Sequence, residues 1–349
     1  MEFHRPTGWR ARLVLSVAAV GAVAAIGAGS ASAAHVASVV VVPASPNANG
    51  WYKVLPHVTV TFANDPGPTH LEGIQSVSCG GGPGVSSPGA SFPFSFPFQG
   101  SSLPIPVNFT AQSPNPGGAF WSCSATYEEQ PFICIFGFCF PSGQWLPGPV
   151  IGTGGNLRID LTQPTLAPSV SPNPVPLNGT ATASPNASDA LSGIDTALTS
   201  CGPVDTSTVG PHTVSCTATD RAGNARTATA HYTVGYVFGG FESPVDGNGP
   251  NSVNSGRAVP LKFTVRDANG VPMTDLTSVS VTAVTAPCDL GSTPDLPAEQ
   301  PANRGLLNHG GGSYSWIWKT PKSYARSCKT LRLDLGDGLF HTADFRFVK

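Results

Sequence analysis

Charge is what this chain has least of. Only 11% of its 349 residues are Asp, Glu, Lys or Arg, so there is neither the basic footprint of a nucleic-acid binder nor a polybasic membrane patch. Methionine is nearly absent, with two residues. No 3.6-residue apolar periodicity occurs beyond the N-terminal segment, which excludes an amphipathic helical architecture. After that segment no apolar run reaches the ~18 residues of a membrane-spanning helix. The motifs of common chemistry are missing as well: no G-x-S-x-G elbow, P-loop, dinucleotide fingerprint or C-x-x-C pair. The histidines never form H-x-x-x-H or H-E-x-x-H. His57 and His231 fall on the polar faces of their strands, and His341 aligns with the apolar Ala343, Phe345 and Phe347.

What is abundant is turn-forming residues and short alternating segments. Gly and Pro together make 75 of the 349 residues, spread so as to punctuate strands throughout. Val58, Val60 and Phe62 alternate with Thr59 and Thr61, the period of a half-buried strand. Val214, Cys216 and Ala218 do the same, and so do Ala230, Tyr232 and Val234, with the turn Asp220 to Asn224 between them. Further on, Val259, Leu261, Phe263 and Val265 share a face, as do Tyr314, Trp316 and Trp318, then Leu331, Leu333 and Leu335. These patterns predict an all-β chain of tandem Ig-like β-sandwich modules with intradomain disulfides.

The N-terminus reads as an export signal. Arg5, Arg10 and Arg12 precede an apolar run from Leu13 to Ile26, and Ala31 and Ala33 form an A-x-A cleavage pattern. Removing residues 1–33 leaves 15 basic and 19 acidic residues, and the expected location is secreted or extracellular. In that oxidising context eight cysteines predict four disulfides. An even number in each module favours pairing within modules. The expected set is Cys79–Cys123, Cys134–Cys139, Cys201–Cys216 and Cys288–Cys328, although the four cysteines of the first module allow other pairings. By loop entropy the Cys288 bridge contributes about 4 kcal/mol and the short Cys134 bridge roughly 2 kcal/mol. The mature chain is too long for one sandwich of roughly 100 residues. The expected modules are 34–160, with an aromatic-rich insertion, then 161–234 and 235–349.

Two resemblances add to this reading. Val204 to Gly210, His212 to Asp220 and Ala222 to Asn224 resemble the hyalin-repeat and bacterial Ig-like family, as does the Trp51-Tyr52 start of the first module. The last module resembles the PxKF domain of secreted bacterial proteins through Phe238 to Asp246, Ser255 to Phe263, Trp318 to Thr320, Cys328 and Phe345 to Phe347. These resemblances imply non-catalytic extracellular modules with no assigned chemistry and no cofactor. The sequons at Asn108, Asn178 and Asn186 are then expected to carry no glycan.

Four groups of residues come into question as candidate sites. Asp246 to Gly249 opens like an EF-hand, but Asn251 stands where the loop needs Gly and Arg257 where it needs Glu, which excludes that motif. Asp189, Asp195, Asp220 and Asn224 could converge at one end of the middle sandwich as oxygen ligands for calcium, against the ordinary reading of Asx-turn chemistry. Glu128 with Glu129 and Asp334 with Asp337 are neighbouring acids without further support for catalysis. The aromatics are the strongest signal. Phe92, Phe94, Phe96 and Phe98, with Phe132, Ile135, Phe136, Phe138, Phe140 and Trp145, put much apolar surface into loops. They either close an open edge of the first sandwich or form an exposed patch for a cell-envelope, glycan or protein partner.

Overall fold

A computed structural model describes residues 35–64, 70–92, 102–135, 137–288 and 305–348. The segment read as an export signal lies outside the described residues, as do Phe94, Phe96, Phe98 and Phe136. The described chain is all-β apart from two short 3-10 turns, and it forms Ig-like sandwiches. Contacts divide it into two compact units. One holds the chain up to Thr165 with Ser188–Thr196 and Thr219–Arg226; the other holds Leu166–Ala187, Ala197–Ala218 and everything from Thr227 onward.

The first unit is a sandwich of ten strands: β1 (His35–Val42), β2 (Trp51–Tyr52), β3 (His57–Ala63), β4 (His70–Gly81), β5 (Val85–Ser86), β6 (Ala90–Ser91), β7 (Ser102–Phe109), β8 (Ala119–Ile135), β9 (Phe138–Pro141) and β10 (Leu146–Ile159). One sheet runs β1-β3-β7-β5, the other β2-β10-β8-β4-β6, with β9 paired to β8. The alternation in sequence is the alternation of the pleat. Val58, Val60 and Phe62 of β3 and Ile105, Val107 and Phe109 of β7 turn inward, meeting Ala119, Trp121, Cys123, Ala125 and Tyr127 of β8 in one buried cluster. Burying such a side chain stabilises by about 1.5–3 kcal/mol.

The second unit holds two clusters. Val175, Val214, Tyr232 and Val234 centre the smaller. Around the larger, Val237–Glu242, Ala258–Arg266, Ser313–Lys319 and Leu306–Gly310 form one sheet, and Asn251–Val253, Phe340–Phe347, Cys328–Asp334 and Ser280–Ala286 the other. Trp318 is fully buried there, edge-on to Phe345 and Phe347, an arrangement that suits the aromatic quadrupole. Tyr236 and Met273 pack against both clusters.

The disulfides are Cys79–Cys123, Cys134–Cys139, Cys201–Cys216 and Cys288–Cys328. The first three join residues directly opposite one another on neighbouring strands. No helix among the described residues is long and apolar enough to cross a membrane.

Candidate functional site

Two places in the first unit depart from the rule of apolar inside and charged outside. The first is the far end of β8. Strand β4 reaches as far as Pro131, where His70 is its partner. Beyond that point β8 pairs with β9: Phe132 faces Pro141, Ile133 faces Phe140, Cys134 faces Cys139, and Ile135 faces Phe138. The turn uses Gly137 at φ 83°, a left-handed conformation that glycine adopts without a Cβ clash. Directly opposed residues share a face of a ribbon. Ile133, Ile135, Phe138 and Phe140 therefore line one face, and they are 52%, 57%, 70% and 60% exposed.

Closing an open edge of the sandwich is not what this hairpin does. None of these four residues belongs to the buried cluster or packs on it, whereas Phe92 does pack on it. The physical reason is the pairing itself: the disulfide and the β9 ladder hold the tip as a ribbon extending past the end of β4. Phe132 and Trp145 are half-buried. Leu146 of β10, opposite Glu129 of β8, adds exposed apolar surface at the base of the hairpin; Val150, also exposed, lies further along β10 opposite Thr126. Ile133 is the member of this face that reasoning on aromatics missed; its parity with Ile135 was the available signal.

At the base of the hairpin Glu128 is buried, and its Oε2 has no hydrogen-bond partner. Burial pushes its carboxyl up from the ordinary value, because a low dielectric disfavours the charged form. Glu72 and Gln130 are buried nearby in the same strand pair.

The second place is an acidic corner. Asp160, Asp189 and Asp220 each offer a carboxylate oxygen, and these lie within 4.8 Å of one another. Asp160 and Asp220 are 0% and 1% exposed. Local geometry builds the corner. The turn from Asp220 to Asn224 closes by Asp220 N–H donating to Asn224 O (3.0 Å) and Asn224 N–H donating to Asp220 Oδ1 (2.8 Å). Asp189 Oδ1 accepts the N–H groups of Leu191, Ser192 and Gly193 at 3.0, 2.8 and 2.9 Å. Asp160 Oδ1 accepts from Thr162 N–H (3.0 Å) and Thr162 Oγ1 (2.7 Å), and its Oδ2 from Ser192 N–H (3.1 Å). Burial first, and the Asp160 charge with it, raise the Asp220 carboxyl above its ordinary value, against its hydrogen bonds to Asn224.

Of the residues considered for calcium, the corner unites Asp189 and Asp220, and adds Asp160, which sequence reasoning did not name. Asn224 presents its amide nitrogen, donating to Asp220 Oδ2 (2.9 Å) and to Asp160 O (3.0 Å). Asp195 stands outside the carboxylate group and meets the corner through its backbone N–H, which donates to Thr219 O (2.8 Å). Calcium takes six to eight oxygens, and here the three carboxylates already accept hydrogen bonds, Asp189 and Asp220 from their own turns and Asp160 from Thr162 and Ser192.

The remaining candidates lie in the second unit or on open strand faces. Asp337, 0% exposed, accepts N–H from Tyr236 and Leu339, which is a structural use. His341 stacks on Phe238 with ring centroids 4.0 Å apart, and burial lowers its pKa despite Asp337 and Asp334. His57 and His231 are exposed on their strands.

No protein-family model and no curated protein sequence matches the chain. Among solved structures it is similar to extracellular domains 3–5 of Drosophila OTK (11% identity, 84% of this chain and 92% of that one, TM-score 0.25). It is also similar to extracellular cadherin domains 1–4 of protocadherin gamma B7 (11%, 84% and 71%, TM-score 0.22) and to domains 4 and 5 of the S-layer protein SbsC (13%, 50% and 93%, TM-score 0.20). At such scores no ligand or activity transfers from these proteins.

Proposed function

We propose that the chain is a non-catalytic, secreted or surface-associated structural or adhesive protein. It is built of three sandwich modules, 34–160, 161–234 and 235–349, the last two of hyalin-repeat/Ig-like and PxKF type. The first module supplies the contact surface through its disulfide-clamped hairpin, the second is a spacer, and the third a C-terminal sandwich. The observation that carries this reading is the face of Ile133, Ile135, Phe138 and Phe140. Four large apolar side chains, each more than half exposed, stand together on a ribbon that none of the buried clusters includes. Exposed apolar surface gathered in one patch marks interaction sites rather than ordinary surface.

Capture of the mature chain on cell-envelope material tests it. The double substitution Phe138→Ser with Phe140→Ser should abolish capture and leave the melting temperature unchanged. Capture equal to wild type would remove the hairpin from the contact surface.

A second reading, a carbohydrate- or cell-wall-binding protein, draws on the same residues, because the rings of Phe138 and Phe140 are the most exposed of the four. Pull-down on wall polysaccharides with Phe138→Leu and Phe140→Leu separates the two. Stacking on sugars requires the rings, and loss of binding in the leucine variant would favour a glycan.

A further inference from the structure

The geometry points to a lipid bilayer surface as the partner of the hairpin: Ile133, Ile135, Phe138 and Phe140 insert at the level of the headgroups. This inference rests on the reading of the hairpin as a contact surface and names the chemistry of what it contacts.

Charge comes first. No Asp, Glu, Lys, Arg or His occurs anywhere from Gln130 to Leu157, so the projecting ribbon carries no charged side chain whose desolvation would oppose entry into a lipid interface. The nearest charged neighbours in sequence, Glu128 and Glu129, stand at its base. His70, opposite Pro131, and Glu129, opposite Leu146, likewise stand at the base and not along the projecting ribbon.

Area comes second. At their exposures the four side chains present roughly 400–500 Å². A stable protein interface takes about 800 Å² from each partner, so a second copy meeting this face alone falls short. Beyond Phe132 the opposite face of the ribbon is exposed too: Cys134, Cys139 and Pro141 are open. A flat protein partner covers one face, whereas a lipid interface surrounds the ribbon.

Depth comes third. From the Phe132–Pro141 rung to the Ile135–Phe138 rung the ribbon advances three residues, about 10 Å at the rise of a strand. That equals the ~5–10 Å to which interfacial segments bury. A two-stranded ribbon leaves its outward backbone groups to solvent, which bars it from the hydrocarbon core and sets the depth at the interface. Trp145, half-buried beside the base, is the residue type that favours that boundary.

Flotation of the mature chain with phosphatidylcholine vesicles, and with vesicles containing phosphatidylglycerol, tests the inference. Wild type should float with both, equally at 0.1 and 1 M salt. Phe138→Ser with Phe140→Ser should reduce flotation at least tenfold, and Phe138→Leu with Phe140→Leu should retain it. Absence of wild-type flotation, while envelope capture still depends on Phe138 and Phe140, would overturn the lipid inference and leave the contact reading standing. Loss of dependence on these residues in both assays would overturn both. A dimer in sedimentation velocity that the serine variant dissolves, without flotation, would assign the face to a second copy and overturn the lipid partner.

Discussion

The apolar hairpin and the acidic corner break the same rule in opposite directions, and they differ in how the departure is compensated. At the corner, charge is inside: Asp160 and Asp220 are fully buried, yet backbone and side-chain donors from 162, 192 and 224 answer their oxygens. At the hairpin, Ile and Phe are outside, and no element in the described residues answers them. A departure that the chain satisfies from within belongs to the fold. One that it leaves open is what we propose to be met by a partner. The corner thus ties the loops 188–196 and 219–226, and the hairpin is the proposed contact.

Substitutions should separate the two, beginning with the corner. Asp160→Ala strands the Ser192 and Thr162 donors and should destabilise the protein by about 2–4 kcal/mol, read by chemical denaturation, with capture on envelope material unchanged per folded molecule. Equal losses of stability and capture would join the two sites and break the comparison. Next comes the clamp. Cys134→Ser with Cys139→Ser removes a short-loop bridge of roughly 2 kcal/mol, and because the ribbon lies outside the core its effect should stay local. Amide exchange of residues 132–141 should accelerate while the core remains protected and capture falls several-fold.

A smaller effect comes from pH. Asp220 is raised in the folded state, so its contribution to stability is fully present below the unfolded value of 3.8 and is lost as pH rises through the folded value. Thermal melts of Asp220→Asn against wild type should therefore move in the variant's favour as pH rises from 4 to 7. The smallest effect concerns calcium. With both oxygens of Asp160 and of Asp220 and Oδ1 of Asp189 already accepting hydrogen bonds, the melting temperature should shift by less than about 1 °C in millimolar calcium. A shift of several degrees that Asp189→Asn removes would make the corner a cation site instead.

Much of the fold was legible because strands announce themselves by parity. The inward residues of β3 and of the last sandwich follow directly from the alternation of Val, Leu and Phe with Thr, Lys and Arg. What parity cannot tell is where a strand outruns its neighbours. Strand β8 alternates through Tyr127 and continues to Ile135, but the point at which β4 stops pairing is a tertiary fact. That point decides whether Phe138 is cover or contact.

The acids show the same limit. The turns at Asp220 and Asp267 close with the same hydrogen bonds, the aspartate N–H to residue i+4 and back again. Burial raises Asp220, while the amide of Asn178, 3.0 Å away, lowers Asp267. Identical turn chemistry in the sequence thus carries opposite electrostatics, set by residues remote along the chain. Asp160 was missed for that reason: it follows the end of β10 with no motif of its own.

The most direct measurement is the melting temperature of a variant with Ile133, Ile135, Phe138 and Phe140 all replaced by Ser. If the hairpin serves a partner and not the core, the melting temperature stays within about 2 °C of wild type, the range of near-neutral surface changes. A fall reflecting several kcal/mol, the cost of removing buried apolar side chains, would place these residues in the core and contradict the account.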